Sequence, residues 1–434
     1  MPDKEILKTI FTSFAENLPL TVVERGINVP LNSGKIITVT GVRRGGKTSV
    51  MMNTINQLLK NEVGYHQILF LNFDDDRLQF SQEGFDNILQ AFRELYPDTK
   101  PADLFIFLDE VQVANGWEQF VRRLYDTVSK NIFLSGSNSK MLATDIATTL
   151  RGRTLQIEVF PLSFKEYCHF TGTRTDVYSL TDIPKLTTGY KTFVNHSAFP
   201  ELVLSNYTFL EQTLQEYYFV MLYKDLVERY HITNTGALKY FVKRLLSNLT
   251  KSTSINKINN EMKSAGIKSD KNFLYQVADY LEAIYFFQKL PKWNASLNKE
   301  TFSDKKYYCI DNGFLKALLT RSSSDDGILL ENQVFLYLRQ QFPFGRGLYF
   351  YSGKKECDFV LTKNDTAVQL VQVCYNISNR DTLQRELAGM VEAAIFFDCK
   401  NLLLVTNDEE KTIEADGYTI VVVKAWKWML GSRL

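Results

Sequence analysis

Cysteine is scarce in this chain of 434 residues, and Cys168, Cys309, Cys357, Cys374 and Cys399 are scattered with no close pair. An odd, unpaired set suits a reducing compartment and offers no metal-binding spacing. The four histidines are equally dispersed, which argues against a zinc site. No apolar run reaches the roughly 18 residues needed to cross a bilayer. The opening stretch "MPDKEILKTIFTSF" has acidic residues and no signal-like apolar core, so the cytoplasm is the expected location and no membrane is an expected partner. Charge of either sign is also missing in excess: the formal net value is +1, so any basic surface must be local. What is present is a hydrophobic fraction of 45% with 23% charged residues, the composition of a globular protein with ample core. The length predicts two to four domains.

"KIITVTG", Lys35 to Gly41, is a short β-branched run ending in glycine, and "KTSVMMNTINQLLKN" then places Val50, Met51, Ile55, Leu58 and Leu59 at helical spacing. Between them "GVRRGGKT" fits the pattern G-x-x-x-x-G-K-[ST]. Strand, glycine turn and helix give that pattern a mechanism. Gly41, Gly45 and Gly46 let backbone amides close around phosphate oxygens, and the helix start at Lys47, Thr48 and Ser49 adds its positive end. Lys47 is placed to neutralise β/γ-phosphate charge, and the Thr48 hydroxyl to ligate Mg²⁺. Further on, "LFIFLDE" ends a buried strand in Asp109 and Glu110, candidates for the Mg²⁺ shell and for polarising an attacking water. Their strand is expected beside that of the glycine loop. "QILFLNF" and "NIFLSGSN" read as two more strands of the same sheet. Ser137 or Asn138, at the edge of the latter, is positioned either to reach the γ-phosphate or simply to close a polar loop.

The motifs "GVRRGGKT", "FLNFDDDRL", "FLDEVQVANGWEQFVRRLYD", "FLSGSNSKML" and "LRGRTLQIEVFPLSFKEY" occur in an order that resembles a large prokaryotic family of AAA-type ATP-binding proteins. Its members are similar to the archaeal-type ATPases and carry a C-terminal domain of unknown function that looks like a PD-(D/E)xK nuclease fold. The resemblance implies an ATP site with Mg²⁺ at Gly41, Gly46, Lys47, Thr48, Asp109 and Glu110, and it matches Arg43 and Arg44 to paired arginines inside the loop. By family position Arg153, with Arg151 as the alternative, is the candidate for a guanidinium on the γ-phosphate of its own or a neighbouring subunit. A surface salt bridge is the competing reading.

From Ser163 to about Tyr230 the pattern is helical and aromatic, read as a helical lid beside the nucleotide. Residues 237–290 then give three helices with short turns, and "FFQKLPKW…KKYYCIDNG" reads as two strands, the plan of a winged helix-turn-helix that the family also has here. The candidate recognition helix offers Lys271, Asn272, Tyr275, Gln276, Asp279 and Glu282, a mixed face. Lys251, Lys257, Lys263, Lys268, Lys292, Lys305 and Lys306 are candidates for tracking phosphates, so DNA is an expected partner with a protein-contact role as the alternative.

The last third reads as helix, hairpin, strand, helix and two strands, an order that looks like the PD-(D/E)xK core. Glu331 and Asp358 fit the acids of such a site. Gln372 and Cys374 stand where a glutamate and a lysine belong, and neither an amide nor a thiol replaces them, so the site is expected to be degenerate.

The expected class is α/β: a P-loop NTPase of AAA type with a parallel sheet (residues 1–160), a helical lid (161–235), a winged helix (236–320) and a C-terminal restriction-endonuclease-like domain (321–434). The expected activity is Mg-ATP binding and hydrolysis driving a switch on or near DNA. An ATP-regulated nuclease and an ATP-gated protein-interaction module with little turnover are the alternatives. Assembly with further copies of the chain stays open.

Overall fold

The computed structural model describes residues 3–78, 84–137, 152–319 and 326–431. The chain divides into two compact units, Met1–Phe160 and Pro161–Leu434.

The first unit is built on five parallel strands, β1 (Ile36–Gly41), β2 (Ile68–Asn72), β3 (Phe105–Asp109), β4 (Asn131–Gly136) and β5 (Thr154–Val159), in the order β2-β3-β4-β1-β5. Parallel strands covered by helices on both faces need apolar side chains on both faces, and the runs IITV, FIFL and IFL supply them. On one face Ile36, Ile106, Ile132 and Leu134 pack with Phe92 and Trp117. On the other, Ile37, Val39, Phe107 and Phe133 pack with Val50, Met51 and Ile55 of the helix Lys47–Lys60. Phe107 and Phe133 stack with ring centroids 4.5 Å apart. Burying one such ring is worth about 1.5–3 kcal/mol, so this pair helps hold β3 against β4.

The strand order corrects one expectation. The strand carrying Asp109 is not next to β1, because β4 lies between them and pairs with both. The loops that follow β1, β3 and β4 all emerge at the same C-terminal edge of the sheet, where parallel α/β sheets form their sites.

In the second unit, helices Phe164–Phe170, Ile183–Asn195 and Leu210–Leu222 precede three more, Thr235–Ser247, Ile255–Ser264 and Lys271–Ala283. The last is capped by Asp270, whose side chain accepts from the Phe273 amide at 3.2 Å. Strands β6 (Ser252–Thr253), β7 (Phe287–Pro291) and β8 (Lys305–Cys309) form an antiparallel sheet in the order β6-β8-β7. Helix Asp326–Gln341 follows. Strands β9 (Leu348–Ser352), β10 (Glu356–Lys363), β11 (Thr366–Val373), β12 (Leu402–Thr406), β13 (Lys411–Ala415) and β14 (Tyr418–Lys424) make a mixed sheet in the order β13-β14-β12-β11-β10-β9. Helix Arg380–Phe397 buries Met390, Ala393 and Ala394 against it. A bridge between Lys292 and Phe350 connects the small sheet's region to β9.

No helix among the described residues is long and apolar enough to cross a membrane.

Candidate functional site

The glycine loop leaves β1 at Gly41, where a Cβ would sit 2.0 Å from the Val159 carbonyl oxygen of β5. Only glycine permits that approach. Gly45 closes a turn onto the Val42 carbonyl at 3.1 Å, and its own carbonyl accepts from the Arg25 guanidinium at 2.7 Å. Gly46, with φ of 95°, caps the helix that starts at Lys47. The amides of Lys47, Thr48 and Ser49 lie in the first turn of that helix, at its positive end. Arg43 is half-buried and Arg44 exposed, both within the loop.

Lys47 is 4% exposed, and its ammonium donates to the carbonyls of Gly41 and Val42 at 3.3 and 3.1 Å. Glu110 Oε1 lies 3.9 Å from it. The Thr48 hydroxyl donates to Asp109 Oδ2 at 2.8 Å, so the two residues expected to share Mg²⁺ meet although they are 61 positions apart. The intervening strand β4 contributes Ser135, a residue missed in the sequence: its hydroxyl donates to Asp109 Oδ1 and accepts the Glu110 amide at 3.1 Å. Burial raises the Asp109 carboxyl above its ordinary range, against the lowering effect of the bonds from Ser135 and Thr48. Glu110 adopts a left-handed conformation with φ of 52°, and Gln112 donates its amide to Glu110 Oε2.

The fit to a bound phosphate and cation can be tested on buried polar atoms. Ser137 Oγ and Gln112 Oε1 are both buried with no hydrogen-bond partner among the described residues. Both belong to the segments following β4 and β3, at the edge where the glycine loop also emerges. Orphaned polar atoms are costly unless a ligand or water meets them. Such a site suits a polyphosphate with its cation.

Not every predicted residue arrives. Asn138, Arg151 and the stretch "KMLATDIATTL" lie outside the described residues. Arg153 does not reach the loop: it precedes β5, whose Thr154 pairs with Ile36 and whose Val159 pairs with Gly41. It therefore sits at the opposite edge of the sheet, on the order of 16 Å away at about 3.3 Å per residue. Its guanidinium there pairs with Asp126 at 2.7 Å and lies 5.4 Å from the Tyr125 ring centroid. The salt-bridge reading, and not contact with this chain's own nucleotide, fits its position.

The second candidate site is a cleft of about 890 Å³ in the other unit. Glu331, Asp358, Gln372 and Cys374 all line it. Gln372 accepts the Asp358 amide at 3.0 Å and donates to Glu386 at 2.5 Å. Cys374 is buried, which pushes its thiol up to about 11. Neither supplies a cation. The cation comes from Lys306 on β8, 1% exposed, with Nζ 2.9 Å from Asp358, 2.9 Å from Glu356 and 3.3 Å from Glu331. Tyr308, two residues on and therefore on the same face of β8, donates to Glu331 at 2.8 Å. This overturns the expectation that Lys306 tracks phosphates on the surface. The signal available in the sequence was that Lys306 alternates with Tyr308 along the strand run "KKYYC" and so shares its face.

Of the other lysines expected to face DNA, Lys251, Lys257, Lys263 and Lys268 are exposed, whereas Lys292 and Lys305 are half-buried. Asp279 and Glu282, on the candidate recognition helix, both pair with Lys289.

Residues 33–168 match the family model described as "AAA domain", and residues 187–325 match a "Domain of unknown function (DUF8612)". The first match spans the glycine loop, Asp109 and Glu110, so the first unit carries an ATPase-like P-loop domain. An uncharacterized protein of Methanocaldococcus jannaschii, MJ1544, is 33% identical over 99% of this chain and 96% of its own length. An uncharacterized protein of Haemophilus influenzae is 26% identical over 90% of this chain and 94% of its own length. Among solved structures, AMPPCP-bound DnaA from Aquifex aeolicus is 13% identical over 63% of this chain and 86% of its own, with a TM-score of 0.27.

Proposed function

The chain belongs to the family of that Methanocaldococcus jannaschii protein, and we propose that it binds and hydrolyses Mg-ATP at the glycine loop as a nucleotide-driven switch acting on or near DNA. The observation that carries the reading is the Thr48–Asp109 contact beside the buried Lys47. It joins the phosphate loop to a carboxylate from a different strand at one cation position.

Gly41, Gly45 and Gly46 shape the loop, and the amides of the following helix bind phosphate oxygens. Lys47 exchanges its bonds to Gly41 and Val42 for the β/γ-phosphate oxygens. Thr48 and Asp109 hold Mg²⁺, which when bound supplies positive charge to the phosphate oxygens and the developing transition state. Glu110 accepts the proton of the attacking water. Ser135 fixes the backbone before that carboxylate, while Lys47 and Gln112 fix its two oxygens. Ser137 reaches the terminal phosphate or the water through its unpartnered hydroxyl.

Support for action near nucleic acid is the sequence of three helices followed by a small antiparallel sheet, with Lys251, Lys257, Lys263 and Lys268 exposed around it. The test is an ATPase assay with and without single- and double-stranded DNA, run on the native chain and on Glu110→Gln. Removing the general base should slow turnover by about a hundredfold or more while nucleotide still binds. Unchanged turnover would place the base elsewhere. A rate indifferent to either DNA, with no complex formed, would make the helices a protein-contact surface.

A further inference from the structure

The cleft of the second unit is organised around a charge that arrives from outside its own sheet. Asp358 and Glu356 come from β10 and Glu331 from helix Asp326–Gln341, whereas Lys306 comes from β8 of the small sheet. We propose that Lys306 is a tethered cation that occupies the position a divalent metal would take among Glu331, Glu356 and Asp358, so that this cleft works without a metal ion.

Three observations carry the proposal. The first is position: one ammonium contacts three carboxylates at 2.9, 2.9 and 3.3 Å while only 1% exposed. A hard cation in the same place would need those oxygens at about 2.0–2.6 Å, and it would meet the ammonium's like charge at close range. The second is the state of the lone pairs. Asp358 Oδ1 accepts Lys306, and Oδ2 accepts the Val373 amide at 3.1 Å. Glu331 Oε1 accepts both Lys306 and the Tyr308 hydroxyl. Gln372, at the position of a third acid, is held by the Asp358 amide and Glu386. These acceptors are already served by N–H and O–H donors. The third is charge. Burial pulls the Lys306 ammonium down, but Asp358 and Glu331 outweigh it and hold it well above the ordinary lysine value.

The consequence is a cleft whose base holds one ammonium among three carboxyl groups, with Lys251, Lys355 and Arg385 also lining it. Lys306 also ties the small sheet to β10, so those elements share one charge network.

The experiment is titration of the nucleotide-free, full-length protein with Mn²⁺, followed by calorimetry and by bound-metal spectroscopy. Wild type and Asp358→Asn should give the same isotherm, because the cluster holds no exchangeable cation. Lys306→Met should gain a Mn²⁺ site at least tenfold tighter than any in wild type, and adding Asp358→Asn should abolish that gain. If Lys306→Met does not fold, Lys306→Gln, which removes the positive charge, keeps a polar side chain and leaves Glu331, Glu356 and Asp358 in place, takes its place, with the same result expected. A wild-type Mn²⁺ site that disappears in Asp358→Asn would overturn the proposal. So would a folded Lys306 variant that binds no more Mn²⁺ than wild type.

Discussion

Arg153 and Ser135 show what a single side chain gains from its strand. Arg153 precedes the edge strand at the end remote from the glycine loop, and it and its ion-pair partner Asp126 are each about one-third exposed, with the Tyr125 ring alongside. A pair of that kind contributes roughly 0–1 kcal/mol. Arg153→Ala should therefore cost less than about 1 kcal/mol of stability and leave ATP turnover within about twofold of wild type. A large loss of turnover without loss of nucleotide binding would mean that the guanidinium serves a neighbouring subunit's site instead. Ser135 acts at the opposite end, where its one hydroxyl joins Asp109 to the Glu110 backbone. The glycine loop, Lys47, Thr48, Asp109 and Glu110 were legible from sequence because phosphate chemistry demands those residue types at fixed local spacing. Ser135 was not, since nothing in "NIFLSG" says that its strand would lie between the other two.

At the scale of elements the strands of the first unit were readable from their β-branched and aromatic runs, while their order was not. Parallel strands of similar composition carry no label for their neighbours, and only the closed sheet put β4 between β1 and β3. The same limit applies to β8. "KKYYC" reads correctly as a strand, but that both its faces are buried depends on what packs against them: Tyr307 and Cys309 on one side, and Lys306 and Tyr308 on the other, turned inward to Glu331. A DNA-binding test must follow that finding. Binding by the helices of residues 235–283 should rest on the exposed Lys251, Lys257, Lys263 and Lys268, be nearly independent of sequence and fall steeply between low and physiological salt. Replacing those four by alanine should weaken it about equally on different sequences and flatten the salt dependence, by gel shift across a salt series. An undiminished complex in the fourfold variant would move the contact elsewhere.

For the whole molecule, stability should carry a pH signature from a buried acid that the sequence reading did not single out. Asp311, in "IDNG" just after β8, lies inside the second unit. Asp311 accepts the amides of Ala198 at 2.7 Å and Gly313 at 2.9 Å, and the Asn312 side chain donates to the Val194 and Leu329 carbonyls. Burial raises the Asp311 carboxyl from 3.8 to about 7, partly opposed by those amide bonds. The folded state thus keeps a proton that the unfolded chain releases. This stabilisation is complete below the unfolded value and is lost as pH rises through about 7. Urea unfolding should show the chain less stable at pH 8 than at pH 5, with a smaller difference in Asp311→Asn. An identical difference in both would remove Asp311 as its source. The account as a whole stands on the first unit holding Mg-ATP through Lys47 and the Thr48–Asp109 pair. The direct measurement is calorimetric titration of ATP with Mg²⁺ into wild type and Lys47→Ala at equal concentration. The account predicts one site per chain in wild type and none detectable in the variant. Equal affinity in the two proteins would contradict it.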